Sequence, residues 1–307
     1  MNSPAGAVEF KASWRIVEPG EDMSGFYTMT HDVYGLKQQG SSISVDVNNV
    51  RNVELALVGL HIGGVVQGHP EMIWATFEHN ANSPTVPADF VPTTVIADSG
   101  DYTFFDTQPA PSTPQLKNTY SGCNINYVVS PYMKLDSKIQ KLSPITQVCL
   151  QYAHGNPAVF DLSPDSAVNE GIQETIDENN QSIIELNGIV KSQLKSEKSI
   201  WGNYHEVGSI WFNRSNGLEP GMTLATDFDS SGKQLLIGSL MLSNSTIETY
   251  TQFASAQNNC FRCHNTEQRL LGTVNGHALT SLKPMNLNIS YAFSNIYTWS
   301  QLIDKQK

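Results

Sequence analysis

The sequence predicts a mainly β protein with a few helices, on three observations. Only 15% of its 307 residues are charged, well under the usual quarter, so Asn, Ser, Thr and Gln must supply the polar surface. Those residues suit turns and strand faces better than long salt-bridged helices. The first third of the chain carries several β-branched and aromatic runs set off by turn signals. Sustained helical periodicity is convincing in one stretch alone. Two packed sheets, a sandwich, are the expected layer arrangement for the β-rich body, with α+β as the runner-up.

The elements follow in order. VEFKASWRIV (8–17) alternates loosely as a strand. VELALVGLHIGGVV (53–66) is a longer strand, with Gly63-Gly64 marking a bulge or tight bend. MIWATFEHN (72–80) is expected to pair with it as an antiparallel hairpin, with Gly68-His69-Pro70 in the loop over 65–71. Residues 81–118, rich in Pro, Ser and Thr, read as a long ordered surface loop. Asp165 to Lys198 is the helical stretch, with Val168, Ile172, Ile176, Ile183 and Val190 at helical spacing. The polar run Glu178-Asn179-Asn180 would split it in two. SIWGNYHEVGSIWFN (199–213) and GKQLLIGSLML (232–242) read as strands. Short helices are expected from Thr246 to Ala256 and over 291–303. This gives a β-rich body over 1–245 and a C-terminal segment over 246–307 packed onto it as one unit.

The strongest chemical signal lies in that segment. Cys260-Phe261-Arg262-Cys263-His264 is CxxCH, the pattern of c-type haem attachment. Two cysteines three apart reach the two vinyl groups on one porphyrin edge as thioethers. The adjacent His then falls under the iron as proximal ligand. A zinc half-site would need a second CxxC, and the other cysteines, Cys123 and Cys149, do not form one. A thioredoxin-type motif would need a βαβ setting, which is absent. The segment after His264 is too short for a self-standing small cytochrome, so the haem must pack against the body.

What faces the iron decides between carrier and catalyst. Met285, in Lys283-Pro284-Met285, could offer a thioether, although many methionines only fill gaps. His61, His69 and His79 cluster on the hairpin, with His61 first among them as distal candidate; a satisfied core histidine is the ordinary reading of His61, and a surface residue that of His79. An open face is the third option. Arg15 and Arg51 are candidates to stabilise negative charge there, more ordinarily surface residues. Asp227, Asp229 and Ser231 match the start of a calcium loop, but position 238 is Gly where an acid is required, and a hairpin turn explains the same letters. Trp201, Tyr204, Trp211 and Phe212 are expected to pack in the core or the haem wall.

Cys123 and Cys149, 26 residues apart, form a disulfide candidate worth about 3–4 kcal/mol in the chain-entropy model. A disulfide and a covalent haem both imply an oxidising compartment, the periplasm or beyond. MNSPAGAVEF lacks the basic start and apolar run of a signal peptide, so a leader is expected to have been removed. No apolar run reaches the roughly 20 residues of a membrane span. A net charge of −11 without a Lys/Arg cluster argues against nucleic-acid binding.

Several blocks also resemble bacterial proteins grouped only as a cytochrome c family. They are Trp14-Arg15, LVGLHI (57–62), HPEMIWATFEHNANSP (69–84), SIWGNYHEVGSIWF (199–212) and LSNSTIETYTQ (242–252) just ahead of CFRCH. The blocks keep their order and spread over most of the chain, while its Asn-rich loops are its own. The resemblance implies a large exported single-haem protein with haem c at Cys260, Cys263 and His264. It also puts His61 and His79 on motif positions near the distal side, and implies no particular reaction. The expected function is electron transfer with a redox partner protein. The alternative is a haem enzyme of peroxide or oxygen chemistry, or a small-ligand sensor, with an open distal face.

Overall fold

The computed structural model describes residues 4–86, 101–105, 134–143, 148–151, 166–212, 236–252, 259–274 and 276–304. Alternating, β-branched sequence builds four long strands in the first 80 residues: β1 (Val8–Ile16), β2 (Thr28–Gln39), β3 (Ser42–Val66) and β4 (His69–His79). After a small hairpin of β5 (Lys134–Asp136) and β6 (Lys141–Ser143), two more strands join the same sheet, β7 (Tyr204–Phe212) and β8 (Leu236–Gly238). The sheet is antiparallel throughout, in the order β1-β3-β4-β7-β8, with β2 also along β3. Leu55 and Ala56 pair with β1 and β2 at once, so those two strands occupy opposite edges of β3.

β3 changes character along its length. Its first half, paired only with β2, has no buried residue before Leu55. Leu55 to Gly59 are then buried on both faces, because neighbours flank the strand and layers cover it. The hairpin to β4 closes through Gln67-Gly68, tighter than the seven-residue loop expected. Gly68 takes φ +86°, which a side chain would resist.

The register sorts the side chains by face. Lys11, His61 and Thr76 stand directly opposite one another across β1, β3 and β4, so they share one face. Gly59, His61 and Gly63 share it by alternation. A Cβ on Gly63 would sit 3.0 Å from the Trp74 ring, and one on Gly59 would fall 2.3 Å from Thr246 Oγ1. Glycine at both positions therefore lets the indole and the 243–248 segment lie directly on the strand.

The other face is covered by α1 (Ser166–Ser196). It is one unbroken helix; the polar run at 178–180 does not split it. Leu186, Val190 and Leu194 line, with Leu60, Ile62 and Phe77, a cavity of about 420 Å3. Asn187 bonds both the N–H and the C=O of Glu206 at 2.8 Å, standing in for a neighbouring strand. The first face carries the C-terminal layer: α2 (Cys260–Cys263), a two-stranded ribbon of β9 (Thr273–Val274) and β10 (His277–Ala278), and α3 (Tyr291–Asp304). Trp74, Ile210, Phe212, Leu240, Phe261 and Ile289 form one buried cluster that joins this layer to the sheet. Fully burying each large apolar side chain contributes about 1.5–3 kcal/mol.

The β-rich body with few helices is therefore as expected, but the sandwich is not found among the described residues. A single sheet is packed between a helix and the C-terminal layer. Over 246–256 the expected helix is reduced, among the described residues, to a 3-10 turn at Thr249–Thr251. Within the GKQLLIGSLML run, the described strand is only Leu236–Gly238.

Glu78 closes this layer internally. It lies buried on β4 at 1% exposure, opposite Gly59. It accepts bonds from Ser245 N at 2.5 Å, from the Ser245 hydroxyl, and from Asn82 Nδ2 at 3.5 Å. Burial raises its carboxyl to about 7 against the pull of the Ser245 bonds, and the Glu248 charge raises it further. The folded protein thus holds a proton on Glu78 that the unfolded chain releases above about 4.5. The stability so linked is full below that value and is lost as pH rises through about 7, on the order of 3 kcal/mol in all. Urea unfolding at about pH 5 and about pH 8 checks this. Glu78→Gln should remove most of the fall in stability between them.

Candidate haem-binding site

The CxxCH turn forms because its ends are tied. Asn259, extended at φ −142°, caps α2 by accepting the Phe261 N–H at 3.0 Å. Its Nδ2 donates to Leu240 O at 3.2 Å, which fixes the cap to the sheet side of the layer. His264 N–H closes the turn on Cys260 O at 2.8 Å. Phe261 is fully buried and meets Phe212 edge-on at 5.9 Å. Cys260 and Cys263, three residues apart, are free thiols that open onto one pocket together with His264.

That pocket lies between the CxxCH turn and the sheet, with a cavity volume of about 120 Å3. From the sheet it is lined by Lys11, His61, Trp74 and Thr76, and from the 243–251 segment by Asn244 and Glu248. His264 is firmly oriented. Its Nδ1 lies 2.8 Å from Ile289 O. A carbonyl can only accept, so Nδ1 carries the proton and Nε2 keeps its lone pair. Trp74 and Tyr291 flank the ring at 4.3 and 4.7 Å. Burial lowers its basicity, to about 4, against the pull of the Ile289 carbonyl, and the charges of Arg269, His61 and Lys11 add to the lowering. The imidazole is therefore neutral near pH 7, the form that ligates metals. Burial and the Glu248 charge push the Cys260 thiol upward.

Arg269 holds the turn from outside. Its guanidinium donates to Cys263 O at 2.9 Å and to Asn288 O at 2.8 Å, and stacks on the Tyr291 ring at 4.5 Å. The Tyr291 hydroxyl also donates to Cys263 O, at 2.9 Å.

On the sheet side, His61 Nε2 lies 3.3 Å from Glu248 Oε1, and Lys11 Nζ lies 3.9 Å from the same oxygen. The His61 contact is at ion-pair distance, yet its geometry is not that of a hydrogen bond, and Nε2 is a buried atom without a hydrogen-bond partner. The other carboxylate oxygen, Oε2, accepts the Asn244 N–H at 3.0 Å.

The remaining candidates lie elsewhere. His79 is buried, with Nε2 donating to Gly25 O at 3.0 Å and Nδ1 accepting from Ala81 N at 3.1 Å. It stacks on Phe26 at 3.6 Å. Both ring nitrogens are committed to hydrogen bonds within the fold, and His79 does not line the pocket. Met285 bonds through its N–H to Thr266 O, on the His264 side of the layer, and does not line the pocket. His69 pairs with buried Glu71 at 2.8 Å near the hairpin turn. Arg15 is paired with Glu21, and Arg51 sits on the outer half of β3 opposite Val33; neither lines the pocket. Trp201 and Tyr204 belong to the α1 side of the sheet rather than to a haem wall, while Phe212 is in the core. Cys149 is fully buried and disulfide-bonded. Its proposed partner, Cys123, and the calcium candidates Asp227, Asp229 and Ser231 lie outside the described residues. Among the described residues, no group of three or more His, Cys, Asp or Glu is gathered as a bare metal ion would require.

No family model, curated protein or solved structure matches the chain. The chemistry is therefore read from the pocket itself. Its donor set is two free thiols one turn apart and one neutral imidazole with a free Nε2, all opening onto one cavity. Those residues fit a haem c and do not fit a closed zinc site.

Sequence reading missed Lys11, Glu248, Asn259 and Arg269. Lys11 breaks no pattern until its register against His61 is known, and Glu248 reaches the pocket through a loop that carries no motif. Arg269 yields a direct check. Arg269→Ala should lower stability by about 1.5–3 kcal/mol, because it strips charged bonds from two carbonyls. Arg269→Lys should recover only part of it, since an ammonium cannot replace the fork. Urea titrations of the three proteins measure both effects.

Proposed function

We propose that the chain is an exported c-type cytochrome carrying one haem, which passes single electrons to and from a redox partner protein. The observation that carries this reading is the His264 imidazole, whose Nδ1–H is held by Ile289 O while its Nε2 stays free beside two free thiols. That is the arrangement of a metal-ligating histidine with its second hydrogen bond already made. Cys260 and Cys263 would hold the porphyrin edge as thioethers, and His264 would be the proximal ligand. When bound, haem c supplies an iron that alternates between ferric and ferrous states. Trp74 and Tyr291 keep the His264 ring in place, and Arg269 keeps the carbonyl of Cys263 fixed. Cys263 and Arg262 are exposed, so the attached edge would lie near the surface, where electrons can leave. The net charge of −11 favours a partner with a basic docking face. The disulfide at Cys149 agrees with an oxidising compartment, the periplasm or beyond. No helix among the described residues is long and apolar enough to cross a membrane.

A second reading is favoured by one feature, the polar wall of His61, Glu248 and Lys11. Such a wall suits an open iron face that binds a small ligand, as in a haem enzyme or sensor.

Haem staining on a denaturing gel tests the attachment, and should be lost in Cys260→Ala/Cys263→Ala; an unstained wild type ends the haem reading. The visible spectrum, oxidised and reduced, separates the two functions. A low-spin spectrum indifferent to CO and cyanide supports the carrier alone. A spectrum that moves with either ligand supports the open face. Met285→Ala should leave the spectrum unchanged.

A further inference from the structure

We propose that the cavity between α1 and the sheet binds a medium-chain carboxylate, a single apolar chain with an anionic head, and that Lys191 receives the head. The cavity lies on the face of the sheet away from the CxxCH turn, and the proposal does not rest on the haem reading.

Three observations carry it. The first is that the cavity is built into the fold, because polar contacts hold α1 at a fixed height. Asn179 Nδ2 donates to Ser239 Oγ at 3.3 Å. Further along, Asn187 bonds both the N–H and the C=O of Glu206. Near the end of the helix, Gly202 lies so close to Lys195 that a Cβ there would meet its Cγ at 3.0 Å. Held at these points, the helix cannot settle onto Leu60, Ile62 and Phe77. The 420 Å3 that remains between them falls within the roughly 300–1,000 Å3 of small-molecule sites.

The second is apolar surface left without cover. Leu186 is 49%, Val190 44% and Trp201 41% exposed, although all three line the cavity. Trp201 cannot turn inward to fill the space, because it stacks on Tyr27 at 5.2 Å and leans on Tyr204 at 5.4 Å. An apolar cavity is a poor host for water. It is a good one for a hydrocarbon chain, each methylene of which leaves water on entering.

The third is the charge at its edge. Most polar groups of the wall are already used within the fold. Asn187 is taken up by Glu206, and the Tyr204 hydroxyl donates to Leu57 O while accepting the Tyr27 N–H. His205 Nδ1 lies 3.0 Å from Asn80 Oδ1, and the Glu206 carboxyl is bonded by the Ser209 side chain. Lys191 differs. It lines the cavity one turn beyond Asn187, and among the described residues it makes no ion pair. A lysine can rest its stem on apolar surface and present its ammonium at the rim. That arrangement suits an anionic head whose chain lies inside.

The test is titration calorimetry of the purified protein with sodium decanoate, kept below micelle formation. Decanol, decyltrimethylammonium and butyrate are the comparisons. Decanoate should bind saturably, one molecule per chain, and butyrate should not bind. Decanol should bind about threefold more weakly than decanoate, and decyltrimethylammonium at least about tenfold more weakly. Val190→Trp, a change on the half-exposed side of the helix, fills the cavity and should abolish binding. Lys191→Met should bring decanoate down to the level of decanol. Glu206→Gln, which removes the acidic group of the wall, should leave decanoate bound at least as tightly. Unchanged far-UV spectra and urea midpoints check that each variant folds. Absence of saturable decanoate binding overturns the proposal; it is the result expected if another part of the chain fills the space. Binding that survives Val190→Trp overturns it too, as does decyltrimethylammonium binding as tightly as decanoate. Haem staining is independent of every one of these outcomes, so failure here leaves the haem reading standing.

Discussion

Phe261 stands between the two cysteines and is fully buried, and the whole site depends on that one anchor. A four-residue turn has no core of its own, and its helical hydrogen bonds cannot hold it. Setting one side chain into the cluster of Phe212, Leu240 and Ile289 orients the turn, so that the thiols on its other side open onto the sheet. Asn259 and Arg269 then act on the ends of a turn already placed. Loss of Phe261 alone would cost about 3–5 kcal/mol by the usual cavity argument, which exceeds what any one polar contact here supplies.

The polar contacts do something different. Thr76, Glu78, Asn244 and Ser245 bind one another between the sheet and the 243–248 loop, and almost every donor is used. A satisfied buried network selects one arrangement among many that apolar packing would tolerate. It sets the height of the loop over β3, and so how far Glu248 stands from His61. Gly59 permits this closeness, since any side chain there would collide with Thr246.

Much of the fold could be read from the sequence where burial leaves a one-sided pattern. The β3–β4 hairpin and β7 have such patterns. The outer half of β3 and its partner β2 do not, because Val45, Val47 and Val50 are exposed on a two-stranded ribbon with no covered face; alternation there reports nothing. The single sheet in place of a sandwich was hidden for a related reason. Apolar strands signal that a face is covered, and Leu60 and Phe77 meet a helix as readily as a second sheet. At the site, CxxCH is legible because the chemistry fixes its spacing. The sheet side is not, because His61 and His79 look alike in sequence and differ only in what surrounds each ring nitrogen. Lys11 and Glu248 meet through register and loop closure, which leave no local mark.

The row of Lys11, His61 and Thr76 across three strands, capped by Glu248 and faced by His264, has a consequence for the order of biogenesis. Its members come from both ends of the chain, and Ser13 bonds Thr246 across 233 positions. Contacts so distant in sequence must wait until both partners have emerged, and each closes a long loop at an entropic cost. The sheet can begin with the β3–β4 hairpin alone. The pocket cannot exist until the segment from Leu242 to Tyr291 has been made and laid back on β1, β3 and β4.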